Sequence, residues 1–194
     1  MTEQIDHLRD TLAGLMEWFL GEDLEAAVIG GVAAGLHGHP RLTEDVDAVV
    51  VGTAAEELIT AGKRYGFAPR IKDALEFSQR THVLLMQHRS GVGVDLSLGA
   101  LPFEWEVIAR AQRIDADGLV IIVASPEDLI IMKALARRPQ DIADIAGILD
   151  IQSSLDTERI RHWVREFSAL LEMPEIFDEL ESLLRAAPQI PGIG

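Results

Sequence analysis

The chain has 194 residues, a length typical of one domain or of one compact domain with a small appendage. Hydrophobic residues make up 48% of it, enough for a buried core, yet it has no long uncharged apolar run and no signal-like N-terminus, so we expect neither a membrane span nor secretion. A net charge of −15 disfavours broad nucleic-acid binding, and the lack of cysteine excludes disulfides and thiolate metal sites, so we expect a cytoplasmic protein.

The first 124 residues alternate between helix and strand patterns. Apolar residues at three- and four-residue spacing predict a helix over residues 3–20. The segment EAAVIGG is typical of a short buried strand ending in the pair Gly30 and Gly31, before a small-residue helix near residues 32–36. Strands are also predicted for DVDAVVV, THVLLMQH, GVGVDLSLG and GLVIIVA, and helices for AAEELITAGKRYGF and LPFEWEVIARAQ. The segments THVLLMQH and GVGVDLSLG form a plausible antiparallel hairpin.

From residue 125 onward the pattern is entirely helical. Helices are predicted over residues 125–138, 140–151, 156–171 and 174–187. The chain therefore has an expected α+β architecture. A mixed β-sheet with flanking helices forms residues 1–124, and a C-terminal helical region of residues 125–194 packs on that core.

The strand DVDAVVV carries Asp45 and Asp47 two positions apart, so both side chains leave the same face of the strand. Two such carboxylates repel each other unless a cation or a hydrogen-bond donor stands between them. A divalent ion such as Mg²⁺ or Mn²⁺ fits, because these ions prefer oxygen ligands. The simpler interpretation is an edge strand with a solvated acidic face.

Neighbouring residues favour a ligand site over a solvated edge. Arg41 and Thr43 alternate with the two aspartates, so four polar groups can share one face, with Arg41 on a phosphate or on the acids and Thr43 donating to a carboxylate. Bare N–H groups at a glycine pair can approach a phosphate, although tight packing also explains the glycines. Asp95, inside an apolar strand, is either a third metal ligand or a surface residue.

A second motif, KALARRPQDIAD, follows in the helical region. Lys133 and Arg138 lie at the end of one predicted helix, and Asp141 and Asp144 share a face at the start of the next. The cations would hold the charge of a triphosphate and the acids would orient them. Ordinary helix-end ion pairs are the alternative. His37 and His39 are interpreted as polar helix-end residues rather than metal ligands.

The first motif, Gly30-Gly31 followed by Asp45-x-Asp47 and Asp95, resembles the active site of the DNA polymerase β-type nucleotidyltransferase superfamily. The second motif is similar to that of the AbiEii-type nucleotidyltransferases, toxins of type IV toxin–antitoxin and phage-defence systems, with Gln140 where that family has lysine. The resemblance implies a nucleotidyltransferase-like fold. It also implies Mg²⁺-dependent transfer of a nucleotidyl group from a nucleoside triphosphate to the hydroxyl of RNA, a protein or a small molecule.

The resemblance also assigns roles to the motif residues. Asp45 and Asp47 would bind metal ions that bridge the triphosphate, and Asp95 would hold a second metal or help to deprotonate the acceptor. Gly30 and Gly31 would bind the phosphates, and Lys133 and Arg138 would neutralise their charge. Arg41 and Thr43, placed beside the aspartates by the strand pattern, are the supporting nucleotide-binding residues.

Two other functions remain open. One is a catalytically weak or inactive nucleotidyltransferase-fold protein that acts by binding a partner, such as a cognate antitoxin. The other is a small-molecule, aminoglycoside-type nucleotidyltransferase. The acceptor, the base preference and the oligomeric state do not follow from the sequence.

Overall fold

A computed structural model describes residues 6–187, with Asp6 described by its backbone alone. The chain divides into two compact units. The first unit combines the described residues up to Leu36 with Pro40–Ser125, and the second combines His37–His39 with the described residues from Pro126 onward.

The first unit contains a seven-stranded sheet and five α-helices among its described residues. The strands are β1 (Glu25–Ile29), β2 (Asp45–Val51), β3 (Phe67–Pro69), β4 (Val83–His88), β5 (Gly93–Gly99), β6 (Gln112–Ala116) and β7 (Leu119–Val123). The α-helices are α1 (Arg9–Gly21), α2 (Gly30–Leu36), α3 (Ala55–Gly62), α4 (Ala74–Thr81) and α5 (Pro102–Ala109). Short 3₁₀ helices at Asp6–Leu8 and Lys63–Tyr65 precede α1 and follow α3.

The sheet has the strand order β3-β4-β5-β2-β1-β7-β6 and mixes parallel and antiparallel pairs. Strand β2 lies at its centre, antiparallel to β1 and parallel to β5. The hairpin β4–β5 is antiparallel, as the sequence predicts. The predicted α+β class, with a mixed sheet and flanking helices, is confirmed.

At the start of β2, burial alternates between the two faces of the sheet. Val46 and Ala48 are fully buried, as are Val94 and Leu96 on β5, whereas Asp45 is exposed on the other face. A slip of one residue in the pairing would exchange these faces, so the buried valines fix the register that aligns the acidic residues.

Three elements of the first unit were not predicted from the sequence. They are the short strand β3, the helix α4 directly before β4, and the edge strand β6. The helix predicted over residues 3–20 begins as an α-helix at Arg9, and residues 3–5 lie outside the described part of the chain.

The described residues of the second unit form four α-helices joined by short loops, together with the non-helical segment His37–His39. Its helices are α6 (Pro126–Ala136), α7 (Pro139–Ile151), α8 (Thr157–Leu170) and α9 (Glu175–Ala186), close to the predicted ranges. A hydrogen-bonded ion pair joins α6 to α8, where Arg159 Nη2 donates to the fully buried carboxylate of Asp128 at 2.7 Å. No helix between residues 6 and 187 is long and apolar enough to cross a membrane.

Candidate active site

The three predicted acidic residues share one face of two adjacent strands. In the parallel pair β2–β5, Asp47 is paired with Asp95, and Asp45 is paired with Gly93. Paired residues on neighbouring strands are about 5 Å apart, and residues two apart on one strand are roughly 7 Å apart. The strand register therefore brings Asp45, Asp47 and Asp95 together, although Asp95 is 48 or more residues away in the sequence.

The end of β1 places the glycine pair against this acidic face. Ile29, the last residue of β1, is paired with Asp47, and Gly30 then begins α2 with a φ of +67°. A Cβ atom on Gly30 would overlap the Asp47 carboxylate. Two reasons therefore require glycine at position 30. L-residues rarely adopt this φ, and the Asp47 side chain fills the space that a Cβ atom would take.

Gly31 is covered by the two polar residues that precede β2. A Cβ on Gly31 would lie 2.7 Å from Arg41 Nη2 and 2.9 Å from Thr43 Oγ1. The Thr43 hydroxyl donates to the Asp45 backbone carbonyl at 3.3 Å and lies 3.4 Å from Asp45 Oδ1, so it orients the start of the acidic strand. Six of the predicted residues thus surround the junction of β1 with α2: Gly30, Gly31, Arg41, Thr43, Asp45 and Asp47.

Asp95 has a cationic partner that was not predicted from the sequence. Arg70, the residue after β3, donates from Nη2 to Asp95 Oδ1 at 2.8 Å. Gly93 makes space for this arginine, because a Cβ there would overlap Arg70 Nη1 and lie 3.9 Å from the Asp45 Cβ. The guanidinium therefore lies over the edge of the acidic face.

Opposing effects act on the protonation of Asp95. Burial raises the pKa of the carboxyl group most, the charge of Arg70 lowers it, the neighbouring Asp45 carboxylate raises it, and the hydrogen bond from Arg70 lowers it. The net result is a pKa above the ordinary aspartate value. Because burial and the Asp45 charge together outweigh both effects of Arg70 on the pKa, ionised Asp95 depends on positive charge supplied nearby.

Carboxylate oxygens are the donor atoms that a hard cation such as Mg²⁺ prefers. Between residues 6 and 187, no group of three or more histidine or acidic side chains is arranged to hold a metal ion. The carboxylates of Asp45 and Asp47 leave the same face of one strand, and Mg²⁺ commonly binds to one or two carboxylates together with phosphate oxygens of a substrate. These two side chains therefore fit Mg²⁺ or Mn²⁺, whereas the third carboxylate is engaged by Arg70.

Three residues of the second predicted motif, Lys133, Asp141 and Asp144, form a buried ionic cluster within the second unit. Lys133 Nζ, only 4% exposed, lies 2.5 Å from Asp144 Oδ2 and 3.4 Å from Asp141 Oδ1. Both carboxylates are at most 1% exposed. The Lys133 ammonium therefore neutralises the two aspartates. Without a cation so close, burying two ionised carboxylates would cost a large amount of folding free energy.

Asp141 also closes the N-terminus of α7. Its carboxylate accepts hydrogen bonds from the Arg138 backbone N–H at 3.1 Å and from Arg138 Nε at 2.7 Å. Burial raises the pKa of Asp141, but the hydrogen bond from Arg138 and the charge of Lys133 outweigh it, and the pKa lies below its ordinary value. The Arg138 side chain remains 74% exposed while making these contacts.

His39 joins this cluster, although the sequence did not single it out as a site residue. His39 Nε2 lies 3.7 Å from Asp144 Oδ1, and a Cβ on Gly147 would overlap the imidazole ring. Neither His39 nor Arg70 stands in a motif, because each meets its partner only through tertiary structure. Each of the two side chains lies where a glycine leaves room, His39 beside Gly147 and Arg70 beside Gly93.

Two solved structures illustrate which proteins have a similar fold. An antigenic nucleotidyltransferase-like protein from Paracoccidioides brasiliensis has a TM-score of 0.51 and 16% identity, over 93% of each chain. The antibiotic-resistance factor ANT(2'')-Ia in solution has a TM-score of 0.57 and 15% identity, over 86% of this chain and 95% of the other. Identities this low show the fold alone.

Sequence comparison gives the family. No protein of curated function is detectably similar in sequence to this chain. Residues 8–181 match a family described as "Nucleotidyltransferase of unknown function (DUF6036)". This range is most of the chain and includes every candidate site residue. The chain therefore belongs to this nucleotidyltransferase family.

Proposed function

We propose that the protein is a Mg²⁺- or Mn²⁺-dependent nucleotidyltransferase that transfers a nucleoside monophosphate from a nucleoside triphosphate to an acceptor hydroxyl. The pairing of Asp47 with Asp95, with Asp45 on the same face and Gly30 at its edge, is the observation that carries the proposal. Carboxylates held this close repel one another unless a cation or a hydrogen-bond donor lies between them. The adjoining glycine turn offers backbone N–H groups to a phosphate.

The glycine turn and the residues over it would bind the triphosphate. Backbone N–H groups at Gly30 and Gly31, where β1 turns into α2, would donate hydrogen bonds to phosphate oxygens. Arg41 lies against Gly31, where its guanidinium can donate two parallel hydrogen bonds to a phosphate. Thr43 would hold Asp45 in the orientation needed to bind the cation.

The acidic residues would organise the transfer itself. Asp45 and Asp47 would hold the divalent cation, which when bound neutralises charge on the phosphate oxygens. The acceptor oxygen forms a bond to the α-phosphorus, the bond from that phosphorus to the bridging oxygen breaks, and pyrophosphate leaves. Asp95, at the paired position beside Asp47, would orient the acceptor hydroxyl or accept its proton.

The second motif supports a more specific proposal, that the protein is an AbiEii-like component of a toxin–antitoxin or phage-defence system. In that proposal Lys133 and Arg138 contribute positive charge to nucleotide binding, and Asp141 and Asp144 orient them. The order of these four residues in the sequence supports it, and the ion pairs of Lys133 with both aspartates support the orienting role of the acids. A cognate antitoxin would be the expected partner.

A second candidate differs in the acceptor. A small cationic acceptor, such as an aminoglycoside, is favoured by the net charge of −15, which attracts cations and repels the phosphate backbone of RNA. An antibiotic-resistance factor among the proteins of similar fold is consistent with this option.

The decisive experiment is transfer from each α-³²P-labelled nucleoside triphosphate, with Mg²⁺, to total RNA, to a protein extract or to aminoglycosides. Labelled product in one acceptor class, with release of pyrophosphate, is the expected result. A double variant, Asp45→Asn with Asp47→Asn, should lose at least about 100-fold in rate, because it removes both metal-binding carboxylates. Asp23→Asn, an exposed aspartate in the turn before β1, is the matched control.

A protein that acts only by binding would behave differently. The double variant would then retain its partner, and wild-type protein would neither transfer label nor bind nucleoside triphosphate in calorimetry. That pair of negative results would overturn the enzymatic proposal.

A further inference from the structure

Arg70 lies beside the acidic face, and the proposed reaction leaves its position unexplained. It follows β3, the short strand at one edge of the sheet, and its backbone N–H donates to the Leu85 carbonyl on β4 at 2.9 Å. Its side chain reaches across to β5 and donates to Asp95 Oδ1 at 2.8 Å. Both side chains are partly buried, at 32% and 27% exposure, so solvent screens the pair less than a fully exposed one.

The space that Arg70 occupies is provided by a missing side chain. Gly93 is paired with Asp45 on β2, and a Cβ on Gly93 would overlap Arg70 Nη1. The guanidinium therefore lies above the strand position next to Asp45. The Arg70 guanidinium thus occupies the space that a cation bound jointly by Asp95 and the two β2 aspartates would take.

We propose that Arg70 is a positioning residue that keeps Asp95 out of the metal site, so that this site binds one divalent cation through Asp45 and Asp47 and not two. The inference rests on the function proposed above. A divalent ion at Asp95 would have to displace the guanidinium from Oδ1 and would be repelled by it at short range.

The consequence is a division of labour among the three carboxylates. Asp45 and Asp47 bind the cation with the triphosphate. Asp95 is held by Arg70 at a fixed position beside Asp47, available to the acceptor rather than to a metal. Arg70 supplies the positive charge that a second metal ion would otherwise bring to this side of the site.

Two substitutions test the proposal independently. Arg70→Gln removes the charge, whereas Gly93→Ala keeps it but pushes the guanidinium off its position, because the new Cβ overlaps Nη1. Arg64→Gln is the matched control, since it breaks another arginine–carboxylate pair, to Glu22 at 2.6 Å, outside the site. Thermal melts by circular dichroism establish that each variant is folded.

The measurement is the number of Mn²⁺ ions bound by the protein, counted by electron paramagnetic resonance of the free ion with Mn²⁺ alone. We expect one ion for wild type and for Arg64→Gln, two for Arg70→Gln and for Gly93→Ala, and one again when Asp95→Asn is added to Arg70→Gln. Two ions in wild type, or one in both single variants, would overturn the role of Arg70 while leaving the nucleotidyltransferase proposal in place. No binding by wild type would overturn the metal site itself, and with it both proposals.

Discussion

Asp47 of β2 lies between two residues of the candidate site, with Asp95 paired to it on β5 and Gly30 packed against its carboxylate at the end of β1. The acidic face and the glycine turn therefore meet at one side chain. A substitution at Gly30 should therefore disturb the proposed metal-binding carboxylate of Asp47 directly, and not only the backbone.

Gly30→Ala is accordingly expected to abolish Mn²⁺ and nucleotide binding. The substitution forces an L-residue to a φ of +67° and drives its Cβ into the Asp47 carboxylate. Gly118→Ala is a close control, because Gly118 has a φ of +83° but nothing within 4 Å of the added Cβ. Both variants should lose about 1 kcal/mol of unfolding free energy from backbone strain, and only Gly30→Ala should lose binding in calorimetry. Equal binding by both would contradict the contact with Asp47.

Arg41 should contribute to affinity for the triphosphate rather than to the chemical step. Arg41→Gln removes a charged donor beside Gly31, and a hydrogen bond to a charged group is worth about 1.5–3 kcal/mol, so the Kd for nucleoside triphosphate should rise roughly 10- to 100-fold. Gly31→Ala should weaken binding in the same direction by displacing the guanidinium. Arg80→Gln, on the exposed side of α4, is the control. An unchanged Kd in both site variants would remove Arg41 from the proposed site.

The sequence could predict the central part of the site because the relevant signals are local. Strand β2 has the predicted bounds, and alternation along it places Asp45 and Asp47 opposite buried Val46 and Ala48. Alternation also put Asp95 on the polar face of β5, but nothing local said that β5 pairs with β2. That link came from the resemblance to a family.

Other parts of the fold were missed for identifiable physical reasons. Strand β6 is largely exposed at the edge of the sheet, so its residues show no apolar pattern. Its turn did carry a signal, since Asp117 and Gly118 both have positive φ and form the two-residue Asp-Gly loop typical of a hairpin. Arg70 had no such signal, because its partner Asp95 is brought near by the pairing of β3, β4 and β5.

His88 is expected to make the stability of the first unit depend on pH. The imidazole is 3% exposed, Nδ1 lies 3.0 Å from Ser90 Oγ, and the buried Nε2 has no hydrogen-bond partner among the described residues. Burial lowers the pKa of His88, as does the charge of Arg89, against a smaller opposite effect of Asp10. The unfolded chain therefore binds a proton more readily than the folded one.

The sign of this effect follows from the lowered pKa. Stability should be fully present above the unfolded histidine pKa of about 6.5 and should be lost progressively as pH falls from there through the folded pKa. Urea unfolding followed between neutral and mildly acidic pH measures this loss. His88→Gln, which cannot protonate, should flatten the dependence over that range, whereas His162→Gln, at an exposed position on α8, should not. A wild-type slope that persists in His88→Gln would assign the effect to other groups.

Lys133 is expected to stabilise the second unit, whatever it does for nucleotide binding. Lys133→Met would leave Asp144 buried at 0% exposure without its closest cation, and breaking a buried ion pair in this way costs about 3–5 kcal/mol. Adding Asp144→Asn should recover part of that loss, because the uncompensated charge is removed while Asp141 keeps its hydrogen bonds from Arg138. Lys63→Met, at an exposed lysine, is the control, and urea denaturation gives the unfolding free energies.

The same double variant separates a structural lysine from a nucleotide-binding one. Once Lys133→Met with Asp144→Asn is shown to be folded, its Kd for nucleoside triphosphate reports on the missing positive charge alone. A rise of about 10-fold or more is expected if Lys133 acts on the triphosphate, since an interaction with a charged group is worth about 1.5–3 kcal/mol. A Kd equal to that of wild type would restrict Lys133 to the buried cluster with Asp141 and Asp144, and would leave nucleotide binding to the residues around Gly30 and Gly31.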